Sequence, residues 1–224
     1  MKKIVYFTCI SILSICTFST ANATILINEI DYDQKSTDKA EFIELFNSGA
    51  SEVNLDNYWL DLINGGLVDT PSYNSFYLTG YSLSAGDYFV ICGNASMVMN
   101  CNFDTGVSSN LIQNGSSDGI ALYNGSVLID AITYEGEIEG ITEGSIGALT
   151  DNASNIMSIG RKQVSQDTNN NAADFESGCI TPGTVNIAGS GNCSMATVSL
   201  PPIIWLFTSG LIGMVINSKE RKRK

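Results

Sequence analysis

Along most of this chain apolar and polar residues alternate with a period of two. The pattern runs through Ile25 to Asp31 (ILINEID), Glu41 to Asn47 (EFIELFN), Tyr58 to Ile63 (YWLDLI) and Asp87 to Cys92 (DYFVIC). It returns in Gly119 to Tyr123 (GIALY) and Val127 to Tyr134 (VLIDAITY). A period of two sends successive side chains to opposite faces, so these segments predict β-strands. The last two flank Asn124-Gly125, a strong hairpin signal, and Asn64-Gly65 and Asn114-Gly115 mark further turns. Between the two termini no helical periodicity of useful length appears. Short strands separated by turns predict an all-β sandwich. In EFIELFN, Ile43 and Leu45 fall on one face and Phe42 and Phe46 on the other, so this strand is expected to be covered on both sides. Trp59 is expected in the core.

The two ends depart from this pattern. Residues 1–23 read as a signal peptide: Lys2 and Lys3 lead, Ile4 to Phe18 is apolar, and Ala21-Asn22-Ala23 is a small-x-small cleavage site that leaves Thr24 as the first mature residue. Residues 198–224 carry an apolar run from Ile203 to Ile216, then Lys219, Arg221, Lys222, Arg223 and Lys224. Trp205 suits a membrane interface, and the basic cluster suits the cytoplasmic side. The expectation is a C-terminal transmembrane helix with the domain outside. Residues 188–197 (AGSGNCSMAT) are small and polar and read as a linker, which leaves residues 24–187 as the folded domain.

Charge is distributed unevenly. Between Thr24 and Thr197 only Lys35, Lys39, Arg161 and Lys162 are basic, against 22 acidic residues. So acidic a surface repels phosphate backbones and disfavours nucleic acid as a partner. Beyond the signal segment four cysteines remain: Cys92, Cys101, Cys179 and Cys193. An even number in an exported chain predicts two disulfides. Three pairings are open, and the short turn-rich intervals favour the local ones, Cys92–Cys101 and Cys179–Cys193. There is no histidine in the sequence, so the usual general base and the commonest zinc ligand are missing.

Three groups of residues could carry chemistry. Asp167, Asn169 and Asn171 have the D-x-N-x-N spacing that opens a calcium loop, but Ala172 stands at the sixth position and Gly178 at the twelfth, where such loops carry Gly and Glu. A structural turn explains the run better, with calcium the lesser alternative and no other cofactor expected. Glu29, Glu41 and Glu44 lie on adjacent predicted strands, where they are expected to be solvated or paired with Arg161 or Lys162. Ser and Cys nucleophiles lack a His partner, and no G-x-S-x-G or Gly-rich phosphate loop is present. An enzyme is not expected.

The ordered motifs resemble the lamin tail domain, an immunoglobulin-like β-sandwich. ILINEI resembles its opening I-x-I-N-E-I strand, and Ala40 to Asn47 (AEFIELFN) its hallmark E-[WF]-I-E-L-Y-N strand. Leu55 to Leu60 (LDNYWL), Leu83 to Ile91 (LSAGDYFVI) and Leu111 to Tyr134 follow in family order. Ser158 to Asn186 carries the closing S-x-x-R, DTNNNAADF and TPGTVN. The resemblance spans about residues 25–187, with Asn57 where Gly is common. It implies a non-enzymatic module that binds through sandwich faces or end loops, such as Leu67 to Tyr73 or Met97 to Asn110. It also brings the alternative of an accessory module for extracellular nucleases or hydrolases.

The C-terminal segment is similar to the PEP-CTERM sorting signals recognised by exosortases, in the variant V-P-L-P-A followed by W-L-F-x-S-G-L-x-G. Val198, Leu200, Pro201, Trp205, Leu206, Phe207, Ser209, Gly210, Leu211 and Gly213 match, and Ser199 and Pro202 depart. This implies a Gram-negative cell, removal of the tail near Pro201, and release or attachment at the surface. Expected partners are the membrane, an exosortase, and surface polysaccharide or protein.

Overall fold

The computed structural model describes residues 25–67, 69, 72–144, 151, 157–189 and 193. The expected signal segment with Ala23 and Thr24, and the expected sorting segment with Pro201, lie outside them. Among the described residues no helix is long and apolar enough to cross a membrane.

The described strands build an immunoglobulin-like sandwich. In chain order they are β1 (Ile25–Asp31), β2 (Phe42–Asn47), β3 (Val53–Asn54), β4 (Tyr58–Asn64), β5 (Ser72–Tyr77), β6 (Ser82–Leu83) and β7 (Tyr88–Cys92). Then come β8 (Cys101–Asp104), β9 (Asp118–Asn124), β10 (Val127–Tyr134), β11 (Ser158–Arg161), β12 (Phe175–Cys179) and β13 (Ile187–Ala188). One helical turn, α1 (Asn171–Asp174), precedes β12. One sheet has the order β13-β12-β11-β1-β2-β7-β8, the other β10-β9-β4-β5, and β3 pairs with β6. All pairs are antiparallel except β7 with β8.

The core lies between the sheets. Ile25, Ile27, Ile30, Ile43, Leu45 and Ile91 from the larger sheet meet Leu60, Leu62, Ile120, Leu122 and Ile132 from the smaller. Each fully buried aliphatic side chain contributes roughly 1.5–3 kcal/mol. The outer faces are also covered in part. Phe42 packs with Val90, Cys92 and Val98 on one, and Ile63 with Ala121, Ala131 and Ile138 on the other. Thus β2 is buried along its whole length, as its double apolar pattern predicts.

Trp59 corrects the expectation for β4. Leu60 and Leu62 turn into the core, so the period of two sends Trp59 outward. There it stacks on Tyr123 and Tyr77, the residues paired with it across β9 and β5. The Asn124-Gly125 signal does mark a hairpin, but the register pairs Asn124 with Val127, so the loop residues are Gly125 and Ser126. Gly125 has φ +58°, and a type II′ turn needs that conformation at its first central position. Ala188, expected in the linker, belongs to β13.

Cys92, closing β7, is joined to Cys101, opening β8. Cys179 and Cys193 are each disulfide-bonded as well. Closing the short Cys92–Cys101 loop removes unfolded-chain entropy worth about 2–3 kcal/mol. The double variant Cys92→Ser/Cys101→Ser should therefore lose about that much stability in urea unfolding. A loss well under 1 kcal/mol would show that the bridge carries no such constraint.

Candidate functional site

Among the described residues nine acidic side chains of this domain, Glu29, Glu41, Glu44 and Asp130 included, are buried, and their partners define the candidate site. At one corner β1 has a bulge between Ile27 and Glu29, and β10 has one between Leu128 and Asp130. A bulge takes backbone groups out of the ladder. Here the Ile27 N–H donates to Asp130 Oδ2 (2.6 Å), and the Ile27 carbonyl accepts from Arg161 Nε (3.0 Å). Arg161 Nη2 donates to both Asp130 oxygens, at 2.9 and 3.2 Å. Nη1 donates to the Gln166 carbonyl and faces Asp167 at 3.6 Å and Asp174 at 3.5 Å. The guanidinium also lies 4.5 Å from the Phe175 ring centroid. Both members of the ion pair are buried. Burial raises the Asp130 carboxyl, and Arg161 and the Ile27 N–H pull against it.

Three glutamates fasten connecting segments to the larger sheet. Glu29 accepts from Ser158 Oγ (2.5 Å), the Thr181 N–H (2.8 Å) and Thr181 Oγ1 (2.7 Å). Glu44, opposite it on β2, accepts from Asn28 Nδ2 (2.7 Å) and the Gly183 N–H (2.5 Å). Asn186 completes this junction with bonds to Asn28 and to the Arg161 carbonyl. The Thr181-Pro182-Gly183 turn sits tightly on the sheet. Gly183 has φ +79°, and a Cβ there would lie 2.6 Å from Asn100 Cβ. Glu41 accepts from the Leu111 and Ile112 N–H groups at 2.5 and 3.1 Å. The expectation that these glutamates are solvated or paired with Arg161 or Lys162 is therefore corrected. The segments that cover them donate to them, and Arg161 serves Asp130.

Glu41 thereby positions one end of the sandwich. Gln113, just past the residues it holds, donates its N–H to Tyr73 Oη, and its carbonyl accepts from Tyr134 Oη. An open cleft of about 440 Å³ lies here, lined by Asn64, Asn110, Gln113, Asn114, Ser116 and Asp118. Burial and the neighbouring Glu135 push Asp118 up to about 6. The lining offers amide and carboxyl groups suited to polar ligands. Asn110 and Tyr73 come from the two loops expected to bind, although β5 and β8 occupy parts of both.

A second exposed feature is the outer face of the smaller sheet. Trp59 stacks on Tyr123 at 4.5 Å and on Tyr77 at 5.9 Å, with planes within 23°. Tyr77 is 65% exposed on the edge strand β5. Beside this row, Asp61 accepts from Ser72 and Ser75 hydroxyls.

The residues of the D-x-N-x-N run are dispersed by local turns. Asp167 accepts from the Asn169 N–H and faces Arg161, and Asn169 takes φ +53°. Asn170 caps α1 through the Ala173 N–H. Asn171 is fully buried, accepting from the Thr133 N–H and donating to the Ala131 carbonyl and to Glu143. Oxygens of Asp130, Glu143 and Asp167 lie within 4.8 Å of one another, with the Arg161 charge among them. Asp130 and Glu143 were not singled out by sequence. The available signal was an acid at the centre of the apolar run VLIDAI.

The Lamin Tail Domain family model matches residues 19–136, more than half of the chain. The chain belongs to the Lamin Tail Domain family. This match stops after β10, yet β11 pairs with β1 and β12 with β11, so the lamin-tail sheet is completed by residues beyond it. A solved structure of a DUF4876 family protein from Bacteroides thetaiotaomicron VPI-5482 is similar over 78% of this chain and 75% of that one. The identity is 12% and the TM-score 0.49. No curated protein matches.

Two predictions follow from the buried charges of this lamin-tail fold. Arg161→Ala leaves Asp130 buried and unpaired and should cost about 3–5 kcal/mol in chemical unfolding. Arg161→Lys should restore little of this, because an ammonium cannot reproduce the forked contacts. Burial pushes Glu41 and Glu44 from the ordinary 4.5 up to about 8 and also raises Glu29. The native state then retains protons that the unfolded chain has released, so stability is greatest below about 4.5 and falls as pH rises through about 8. Melting temperature should drop between pH 5 and pH 9, and Glu44→Gln should flatten the curve. A melting temperature that rises over this range would contradict the assignment.

Proposed function

We propose that this lamin-tail protein is a non-enzymatic, exported structural or adhesion component of the cell surface or extracellular matrix. The use of its acidic groups carries the reading. Glu29, Glu41, Glu44 and Asp130 all accept bonds that fix the backbone or pair with Arg161, and the chain has no histidine to activate a nucleophile. Such an arrangement builds a rigid scaffold. The disulfide fits an oxidising compartment, in keeping with a signal peptide ending at Ala23 and an exosortase-type tail cut near Pro201. The aromatic row with Tyr77 at its edge and the polar end cleft are the surfaces offered to surface polysaccharide or protein.

The accessory role beside extracellular nucleases or hydrolases is the second reading. The same surfaces could serve it in trans, but the excess of acidic residues opposes direct contact with DNA.

Intact mass of the native protein from envelope and medium fractions tests the export and sorting part. The expected species starts at Thr24 and ends near Pro201. A chain starting at Met1 and confined to the cytoplasm would overturn the reading, and one running to Lys224 only in the envelope would replace sorting with a plain anchor. Binding is tested by retention on the host's own extracellular polysaccharide. Tyr77→Ala should reduce it several-fold without changing the melting temperature. Retention on DNA instead, at about 150 mM salt, would favour the accessory role.

A further inference from the structure

We propose that the C-terminal end of β1 is a calcium site, with Asp31 as its principal ligand and Asp151 beside it. Asp31 closes β1 opposite Phe42 on the outer face of the larger sheet and is 1% exposed. Neither of its carboxylate oxygens accepts a hydrogen bond of ordinary geometry, and among the described residues the Gln34 amide is the one donor group that acts on it. This sets it apart from its buried neighbours, because Glu29, Glu41, Glu44 and Asp130 all accept from N–H or hydroxyl groups. A buried carboxylate without well-formed hydrogen bonds is strongly disfavoured unless something neutralises it.

Its surroundings supply the wrong sign for a protein partner. Asp151 repels it most strongly, and Glu29 and Glu41 add to that repulsion. Lys35 and Lys39, the basic residues of the following loop, are exposed, and among the described residues no ion pair to Asp31 is formed. Burial first, then the Asp151 charge, raises the Asp31 carboxyl well above its ordinary range. Asp151 is itself held in place. It is 3% exposed, its Oδ2 accepts from the Tyr32 and Asp33 N–H groups at 3.3 and 3.4 Å, and its own N–H donates to Tyr32 Oη at 2.9 Å. The Gln34 amide offers only partial relief. Its oxygen accepts from the Lys39 and Ala40 N–H groups, and its buried nitrogen favours the Asp31 carboxylate without reaching ordinary hydrogen-bond geometry. One amide nitrogen could in any case fill only one or two of the four acceptor positions of a carboxylate.

Asp151 accepts from the two N–H groups that follow Asp31, and a shared proton or a cation would relieve the repulsion it exerts on the Asp31 carboxylate. An all-oxygen donor set without nitrogen or sulfur suits a hard cation, and calcium accepts the irregular coordination of a strand end better than magnesium. The Asp130, Glu143 and Asp167 group is a weaker candidate, because Arg161 already places positive charge 2.9 Å from Asp130 and 3.6 Å from Asp167. The inference is independent of the surface role proposed above.

Terbium, a luminescent calcium substitute, is the probe. Tyr32, next to Asp31 and stacked on Tyr134 with centroids 4.1 Å apart, is placed to sensitise it. Added to the full chain purified free of divalent metal, terbium should show tyrosine-excited emission that calcium displaces. Millimolar calcium should raise the melting temperature by several degrees, as a ligand bound only to the native state must. Asp31→Asn should abolish both responses, and without calcium it should melt higher than the wild type, because one repelling charge is gone. Asp167→Asn should keep both responses. Asp151→Asn gives a second reading should Asp31→Asn fail to fold. The proposal is overturned if the wild type shows neither emission nor a calcium-dependent shift, which would assign the pair to a shared proton. It is equally overturned if the responses survive in the folded Asp31→Asn or Asp151→Asn protein, or disappear in Asp167→Asn.

Discussion

The contact between Asp130 and Arg161 is the constraint on which this sandwich turns. Ile27 at the β1 bulge presents both backbone groups to that pair, the N–H to the carboxylate and the carbonyl to the guanidinium. Three strands from two sheets, β1, β10 and β11, therefore meet at one set of charges. A buried ion pair gains little over well-packed apolar side chains. What this one does is dictate registry: a slip of one residue in β1 would withdraw Ile27 from the corner and turn its core face outward. The Phe175 ring under the guanidinium and the Gln166 carbonyl satisfy much of what remains, so a residue as polar as Arg161 can lie at 1% exposure.

From that corner the same logic extends along the outer face of the larger sheet. A sheet covered on one side would be expected to carry solvated polar residues on the other. Here Glu29 of β1 and Glu44 of β2 share that face with Phe42 and Phe46, and segments that cross the sheet donate N–H groups into these carboxylates and into Glu41 just before β2. Glu29 and Glu44 receive the Thr181-Pro182-Gly183 turn, and Glu41 receives the backbone at Leu111 and Ile112. The long connections are thus held by backbone N–H groups directed into carboxylates as well as by side chains such as Leu111, Ile112 and Thr181. That leaves the side chains of the end cleft and the aromatic row of the smaller sheet free to vary with the ligand while the scaffold stays fixed.

Much of this architecture is legible in the residues. β1 and β10 have the bounds that their alternation predicts, and β2, β4, β7 and β9 agree within a residue at either end. The strands that escape are short or polar. β5 (SYNSFY) and β8 (CNFD) lack an apolar face, and their pairing to β4 and β7 defines them. β11 and β12 are visible only through family motifs, because four or five residues carry too little periodicity. The buried acids were misjudged for a related reason. Alternation shows that Glu29 and Glu44 share a face, but not that residues more than a hundred positions later fold over it. Trp59 shows the limit of composition: its size suggested the core, and the phase set by Leu60 and Leu62 decided otherwise.

The Cys92–Cys101 bridge also bears on how such a chain survives at high local concentration. It anchors β8, a four-residue strand, against β7, where β8 forms one border of the larger sheet. Were β8 to peel away, β7 would present its unpaired N–H and C=O groups, flanked by Phe89, Val90 and Ile91, to any neighbouring copy. Open strands of that composition template intermolecular pairing. The covalent clasp keeps that border closed, so molecules crowded together on one surface meet through their side chains and not by exchanging strands.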